Sequence, residues 1–144
     1  KKHGSKETLY LGNLNARRDW GHAKDYTEMQ WRIMQQKKPK DYVIATGHAY
    51  SVKQFVNIAA DYLGMKILWS GKGLNEIGYT FNKNKKEILI KIDKKYFRPN
   101  EVEYLKGDAS KALKDLKFKP KYSFKALVED MIDSDLLEAK KELE

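Results

Sequence analysis

Between His22 and Gly64 the chain changes periodicity twice, which restricts it to folds that mix helices with strands. From His22 to about Gln36 apolar residues fall at Tyr26, Met29, Ile33 and Met34, with Trp31 beside them, mostly at helical spacing. Lys37, Lys38 and Pro39 end that helix. Asp41 to Gly47, DYVIATG, has the pattern of a buried strand closed by glycine. Ser51 then caps a second helix with apolar residues at Val52, Phe55, Val56, Ile58, Ala59, Tyr62 and Leu63. Gly64 stands where a C-cap glycine belongs. Thr8 to Leu11 and Lys66 to Trp69 read as short strands, and Ser70 to Tyr79 as a glycine-rich loop. Glu87 to Ile92 alternates, with Ile88, Ile90 and Ile92 on one face and Lys91 on the other, as a half-buried strand does. Asp93 to Asn100 is a loop, Asp108 caps a short helix through Leu116, and Ser123 caps a last helix that runs into a charged tail. The expected class is α/β.

A chain of 144 residues forms one domain with a proper core. It has no cysteine, so disulfides, thiolate metal sites and cysteine nucleophiles are excluded. No apolar run approaches the ~20 residues that span a bilayer. The first residues, KKHGSKETLY, lack the apolar core of a signal peptide, so a cytoplasmic setting without membrane contact is expected. The net charge of +9 admits a second class, a basic nucleic-acid-binding module. However, the lysines cluster as surface-like runs, including the lysine-rich Asn82 to Lys86, and runs of this kind are solvated faces.

Catalytic constellations are sparse. His3, His22 and His48 have no ligand spacing, so no metal site is expected, and Ser51 and Ser123 occupy capping positions. Gly71-Lys72-Gly73 begins like a dinucleotide fingerprint, but Glu76 occupies the third glycine position and no helix follows. Tyr62 and Lys66 straddle Gly64, and Tyr79 to Lys83 lies in a polar loop, so neither pair has the helical geometry of a dehydrogenase Tyr–Lys pair. Arginine is the side chain suited to a diphosphate, because its planar fork makes paired, charge-assisted hydrogen bonds. Arg17, Arg18, Arg32 and Arg98 are the only arginines; Arg32 sits inside a helix and is expected at its surface. Arg18 precedes Asp19-Trp20-Gly21 at a loop-to-helix junction, and Arg98 lies in a proline-stiffened loop three residues before Glu101. Arg18 and Arg98 would suit a diphosphate, and Glu101 a ribose diol, if the fold gathers them. Alternatively Arg18 pairs with Asp25 or Glu28, and Arg98 with Glu101 or Glu103.

LYLGNLNARRDWGHAKDY, Met29-Gln30, DYVIATG and YFRPNEVEYLKGD together resemble the GDP-mannose 4,6-dehydratases, extended short-chain dehydrogenase/reductases. SVKQFV and KFKPKYSFKALVEDM match the same pattern, so the resemblance covers about Thr8 to Glu138. It implies the C-terminal, substrate-binding portion of an extended Rossmann-type enzyme across residues 1–144. About 22–65 would be late Rossmann helices and a strand at Asp41 to Gly47. About 8–21 and 66–144 would be the small sugar-nucleotide lobe. The implied reaction converts GDP-mannose to GDP-4-keto-6-deoxymannose with NADP, in a homo-oligomer. The family's threonine, glutamate, YxxxK pair and NADP-binding loop have no counterpart here, so the chain is expected to be a portion that is inactive alone. The resemblance places Arg18 and Arg98 at the diphosphate, Glu101 at the ribose, and Gly12 and Asn13 at the turn lining the nucleotide site. Arg17 is the weaker of the paired arginines, and His22 becomes a packing or capping residue. Two departures stand out. Ile77 follows Glu76 where the family has lysine, and the usual Gly-Trp-Lys-Pro becomes Lys117-Phe118-Lys119-Pro120.

Overall fold

A computed structural model describes residues 7–141. His3, the first residues of the N-terminal segment and residues 142–144 of the charged tail lie outside the described residues. The elements in chain order are β1 (Leu9–Leu11), β2 (Arg17–Asp19), α1 (Ala23–Met34), β3 (Ala49–Ser51) and α2 (Val52–Tyr62). They continue with β4 (Leu68–Ser70), β5 (Ile77–Asn82), β6 (Lys85–Ile92), α3 (Ser110–Leu116) and α4 (Phe124–Lys141). The class is therefore α/β, as the alternating periodicities imply.

A four-stranded sheet runs β1-β6-β5-β4, with β1 parallel to β6 and the other pairs antiparallel. β2 and β3 form a separate antiparallel pair that sets Arg18 opposite Tyr50. The span expected as a glycine-rich loop is a loop only from Gly71 to Glu76, because β4 includes Ser70 and β5 already begins at Ile77. The lysine-rich stretch is the tip of this hairpin. Lys83 and Asn84 both have positive φ, 47° and 63°, as a two-residue turn matched to strand twist requires. Propensity hides this turn, since lysine is an unusual occupant of that conformation. β6 is also more deeply set than alternation suggests: Leu89 and Ile90 are both buried, where the pairing with β5 shifts register opposite Gly78 and Tyr79.

Asp41 to Gly47 is not a strand. The apolar pattern is that of a strand, but a strand also needs a neighbour to complete its ladder. Among the described residues none pairs with it. Side chains hold this backbone instead: Asp19 accepts from the N–H groups of Thr46 and Gly47, each at 2.8 Å, and Lys111 donates to the Asp41 carbonyl. Val43 is left 54% exposed.

The helix ends follow their capping residues. Ser51 and Gln54 form a reciprocal capping box at the start of α2, and Gly64 follows its C-cap with φ +69°. The Ser123 hydroxyl accepts from the Ala126 N–H at the start of α4. Asp108 bonds the Ser110 N–H one residue before the N-cap of α3, which is Ala109. His22 caps α1: its Nδ1 accepts from the Lys24 N–H at 3.1 Å, which leaves Nε2 to donate to Asp130 at 3.1 Å. Its ring stacks on Tyr122.

Two apolar clusters fill the helical side. Met29, Ala112, Leu116 and Phe118 form one, flanked by Tyr26, Ile33, Tyr42 and Ile44. Phe118 keeps an aromatic ring where the family motif has tryptophan, and it is buried. Phe124, Val128 and Ile132 form the other, with Trp20, Tyr50 and Phe55 against them. Trp31 and Met34 belong to neither and are exposed. Arg32 is not simply a surface residue: it bonds Glu28 and donates to the Leu116 carbonyl, tying α1 to the end of α3.

Candidate functional site

The site is assembled where the loop after β1 meets the loop after β6. Gly12 comes first because a Cβ there would overlap the Tyr96 carbonyl oxygen. That close approach puts Asn13 beside Arg98. The Asn13 amide then clamps the Arg98 backbone, accepting from its N–H at 2.8 Å and donating to its carbonyl at 3.0 Å. Arg98 to Glu101 is a turn closed by the Glu101 N–H on the Arg98 carbonyl, with Pro99 at the position where its fixed φ suits a turn. Beyond it, Arg17 pairs through its backbone with Glu103 and Leu105. These contacts enclose a cavity of about 220 Å³ whose walls include Gly12, Asn13, Phe97, Pro99, Glu76 and Glu101.

Of the five residues expected at the site, Gly12, Asn13 and Glu101 line this cavity, while Arg18 and Arg98 do not line it and stand beside it on Glu101; the five differ in what they are free to do. The Arg18 guanidinium is engaged through both terminal nitrogens. It donates to the carbonyls of Arg17 and Val102, at 2.8 and 2.7 Å, and to Glu101 Oε1 at 2.5 Å, and its side chain is 26% exposed. Arg98 is 79% exposed and reaches the other Glu101 oxygen only at 3.9 Å. The alternative of Arg18 pairing with Asp25 or Glu28 does not occur. Asp25 accepts from the backbone N–H groups of Lys121 and Tyr122, and Glu28 pairs with Arg32 and Lys121. The alternative of Arg98 pairing with Glu101 survives as that long contact. Arg17 lies over the Tyr104 ring.

Two features were not legible. The Asp19 carboxylate accepts from the Thr46 hydroxyl and from the N–H groups of Thr46, Gly47 and Gly107. It thereby fixes the strand that carries Arg18 to two distant segments. Lys53 pairs with Glu76 at 2.6 Å across the cavity wall and lies over the Trp69 ring. No spacing in the chain links positions so far apart; Glu76 stood out as the residue that spoils a glycine fingerprint and as the glutamate followed by Ile77 where the family has lysine. Nearby, burial, and secondarily Asp19 and Asp25, push the Tyr26 phenol above its ordinary value, so it is no base.

Neither dinucleotide-binding candidate in the sequence has the geometry it would need. Gly71-Lys72-Gly73 leads into a single 3-10 turn, Gly73–Asn75, rather than a helix. Tyr62 ends α2 and donates to Asp133, and Lys66 lies past the cap. No group of three potential metal ligands occurs among the described residues, and none of their helices is long and apolar enough to cross a membrane.

Comparison with known proteins gives a consistent picture. The profile of the GDP-mannose 4,6 dehydratase family matches residues 1–131. A GDP-mannose 4,6 dehydratase from Cricetulus griseus is 46% identical over 92% of this chain and 35% of its own length. The chain thus spans about a third of the length of the curated relatives it matches. Among solved structures, an RMD from Pseudomonas aeruginosa complexed with NADPH superposes with a TM-score of 0.66 at 14% identity. It covers 88% of this chain and 35% of its own. A UDP-glucose 4-epimerase from Thermotoga maritima with UDP-glucose gives 0.65 at 18% identity, covering 96% and 37%. At such identities these two speak for the fold alone.

Proposed function

Because the chain belongs to the GDP-mannose 4,6 dehydratase family, we propose that it is the substrate-binding portion of such an enzyme and that its ligand is GDP-mannose. The observation that carries this reading is the gathering, from stretches more than 80 residues apart, of Gly12, Asn13 and Glu101 in the wall of one cavity, with Arg18 and Arg98 beside it on the Glu101 carboxylate. Arg98, exposed and held only by its long contact to Glu101, meets the diphosphate; its planar fork pairs two phosphate oxygens. Glu101 accepts from the ribose hydroxyls. Arg18 holds Glu101 and the Val102 backbone in place and contributes positive charge behind them. Asn13 sets the turn that presents Arg98, and Gly12 lets that turn approach.

In the same proposal NADP, and the Thr, Glu, Tyr and Lys that act in this family, belong to a part of the enzyme outside this chain. The chain alone is then inactive in the conversion to GDP-4-keto-6-deoxymannose. Residues 8–21 and 66–144 form the sugar-nucleotide lobe, and 22–65 join the Rossmann side, where Asp41 to Gly47 would find ladder partners. The enzyme is a cytoplasmic homo-oligomer that takes no nucleic acid. Several lysines that make the chain basic are already paired with carboxylates, among them Lys24, Lys40, Lys53 and Lys121, and no observation favours a nucleic-acid surface.

Calorimetric titration with GDP and GDP-mannose tests the binding role. Wild-type chain binds both, and Glu101→Ala weakens both by about tenfold, the loss of roughly one charge-assisted hydrogen bond. Equal affinities of Glu101→Ala and wild type would remove Glu101 from the site. Product formed by the isolated chain with added NADP would refute its inactivity.

A further inference from the structure

The cavity has two further carboxylates that the nucleotide reading leaves unused, the exposed Glu103 and the buried Glu76. Glu76 lines it together with Glu101, yet is only 6% exposed. A buried carboxylate needs compensation, and Lys53 supplies it at 2.6 Å with its own side chain 28% exposed. Lys53 is held in turn: its ammonium lies 4.7 Å from the Trp69 ring centroid, and Trp69 Nε1 donates to Asn57 at 2.8 Å. The carboxylate is therefore fixed at the cavity wall by a chain of side chains from α2 and β4. A carboxylate offers about four lone-pair sites, and the Lys53 bond to Oε1 occupies one. Oε2 has no protein partner among the described residues and keeps some accessible surface, since no buried side-chain oxygen is left without a partner, and Glu76 lines the cavity. Glu76 thus presents acceptors to whatever enters.

The cationic groups of the site, Arg18 and Arg98, both stand at the Glu101 end. No residue lining the cavity is basic, and the Lys53 ammonium is already committed to Glu76, so the wall around Glu76 offers phosphate no free cation and suits a neutral group rich in N–H donors. A planar carboxylate matches two adjacent N–H donors, and among the common bases guanine alone carries such a pair, at N1 and N2.

We propose that Glu76 reads the guanine base through its N1–H and N2–H donors, with Lys53 as the positioning residue that holds the carboxylate in the cavity wall. This rests on the GDP-mannose reading and adds to it the base selectivity that the five residues around Glu101 do not explain. A site built around a donor pair rejects an analogue that lacks one donor.

The test is titration of the chain with GDP, with IDP, which lacks the 2-amino group, and with GDP-mannose. Wild type is expected to bind GDP at least tenfold more tightly than IDP. Glu76→Gln loses most of that ratio, Lys53→Met lowers it, and Lys53→Arg restores it, a pattern that a purely structural ion pair would not produce. A wild-type chain that binds GDP and IDP equally overturns the proposal whatever the variants do. Glu76→Gln with an unchanged ratio overturns it while leaving GDP binding intact. Glu76→Gln that weakens GDP-mannose but not GDP assigns the carboxylate to the hexose and also overturns it. A wild-type chain that binds none of the three overturns the GDP-mannose reading together with this one.

Discussion

The aromatic cluster under α4 and the cavity around Glu101 begin two residues apart, at Trp20 and Arg18, yet they are held by opposite means. In the cluster, Phe124 stacks flat on Tyr50 at 4.1 Å and meets Trp20 edge-on at 5.8 Å, while Val128 is fully buried below. Shape and area hold it, and no charge takes part. In the cavity, distant backbones are joined by side-chain amide, guanidinium and carboxylate groups whose outer faces remain wet. Asp19, between the two, uses its whole carboxylate to lock the strand that serves both. The contrast shows how one short strand can be rigid without being apolar throughout. It also separates expected mutational effects into loss of fold on one side and loss of ligand on the other.

The largest effect belongs to the cluster. Phe124→Ala is expected to cost about 3–5 kcal/mol, a large share of the roughly 5–15 kcal/mol of a typical domain. Denaturant unfolding measures it; a loss under about 1 kcal/mol would mean that the cluster collapses around the gap. Next come the two arginines, which sharpen the comparison because only one is shared with the fold. Arg98→Ala is expected to weaken GDP binding by about 10- to 100-fold, the range of one or two charge-assisted bonds, with no change in Tm. Arg18→Ala should lower both affinity and Tm, since it strands the Glu101 carboxylate and the Val102 carbonyl. If Arg98→Ala lowered Tm as much as Arg18→Ala, the division of roles between them would fail.

Smaller effects come from elements that the sequence itself announces. Ser51→Ala removes one half of the α2 capping box and should cost about 1 kcal/mol, with nucleotide affinity unchanged because the hydroxyl faces the helix and not the cavity. Caps of this kind were legible because a hydroxyl, a glycine or a ring nitrogen satisfies backbone groups within three residues of itself. Ser51, Gly64, Ser123 and His22 all sit where local spacing puts them. The convergence of Asn13 with Arg98 and of Arg18 with Glu101 was legible only through resemblance, since no local rule links residues over 80 apart. Lys53 with Glu76 was legible in neither way. Asp41 to Gly47 misled for a related reason: its apolar pattern reports the burial that a strand wants, and nothing in it reports whether a neighbour is present to pair. The Lys83-Asn84 turn misled through composition, because charge hid a conformation that strand twist imposes.

The last and smallest effect concerns acid. Asp130 accepts from His22, the cap of α1, and from Lys24, and these bonds, the His22 one foremost, hold its carboxyl below the usual aspartate range. A carboxyl whose pKa is depressed by folding stabilises the native chain at every pH above its unfolded value of about 3.9. That contribution disappears as pH falls from there through the lower folded value. Asp130→Asn should therefore be less stable than wild type near neutrality, and the two unfolding curves should merge in strong acid. Since the Asp130 side chain is 52% exposed, solvent and salt screen the pair, and the gap should shrink as salt is added. Tm measured from neutral pH downward at two salt concentrations decides the matter. A gap that stayed constant with pH would mean that Asp130 acts through packing on His22 and Tyr122 rather than through its charge. α4 would then be joined to α1 in the same apolar manner as to α2.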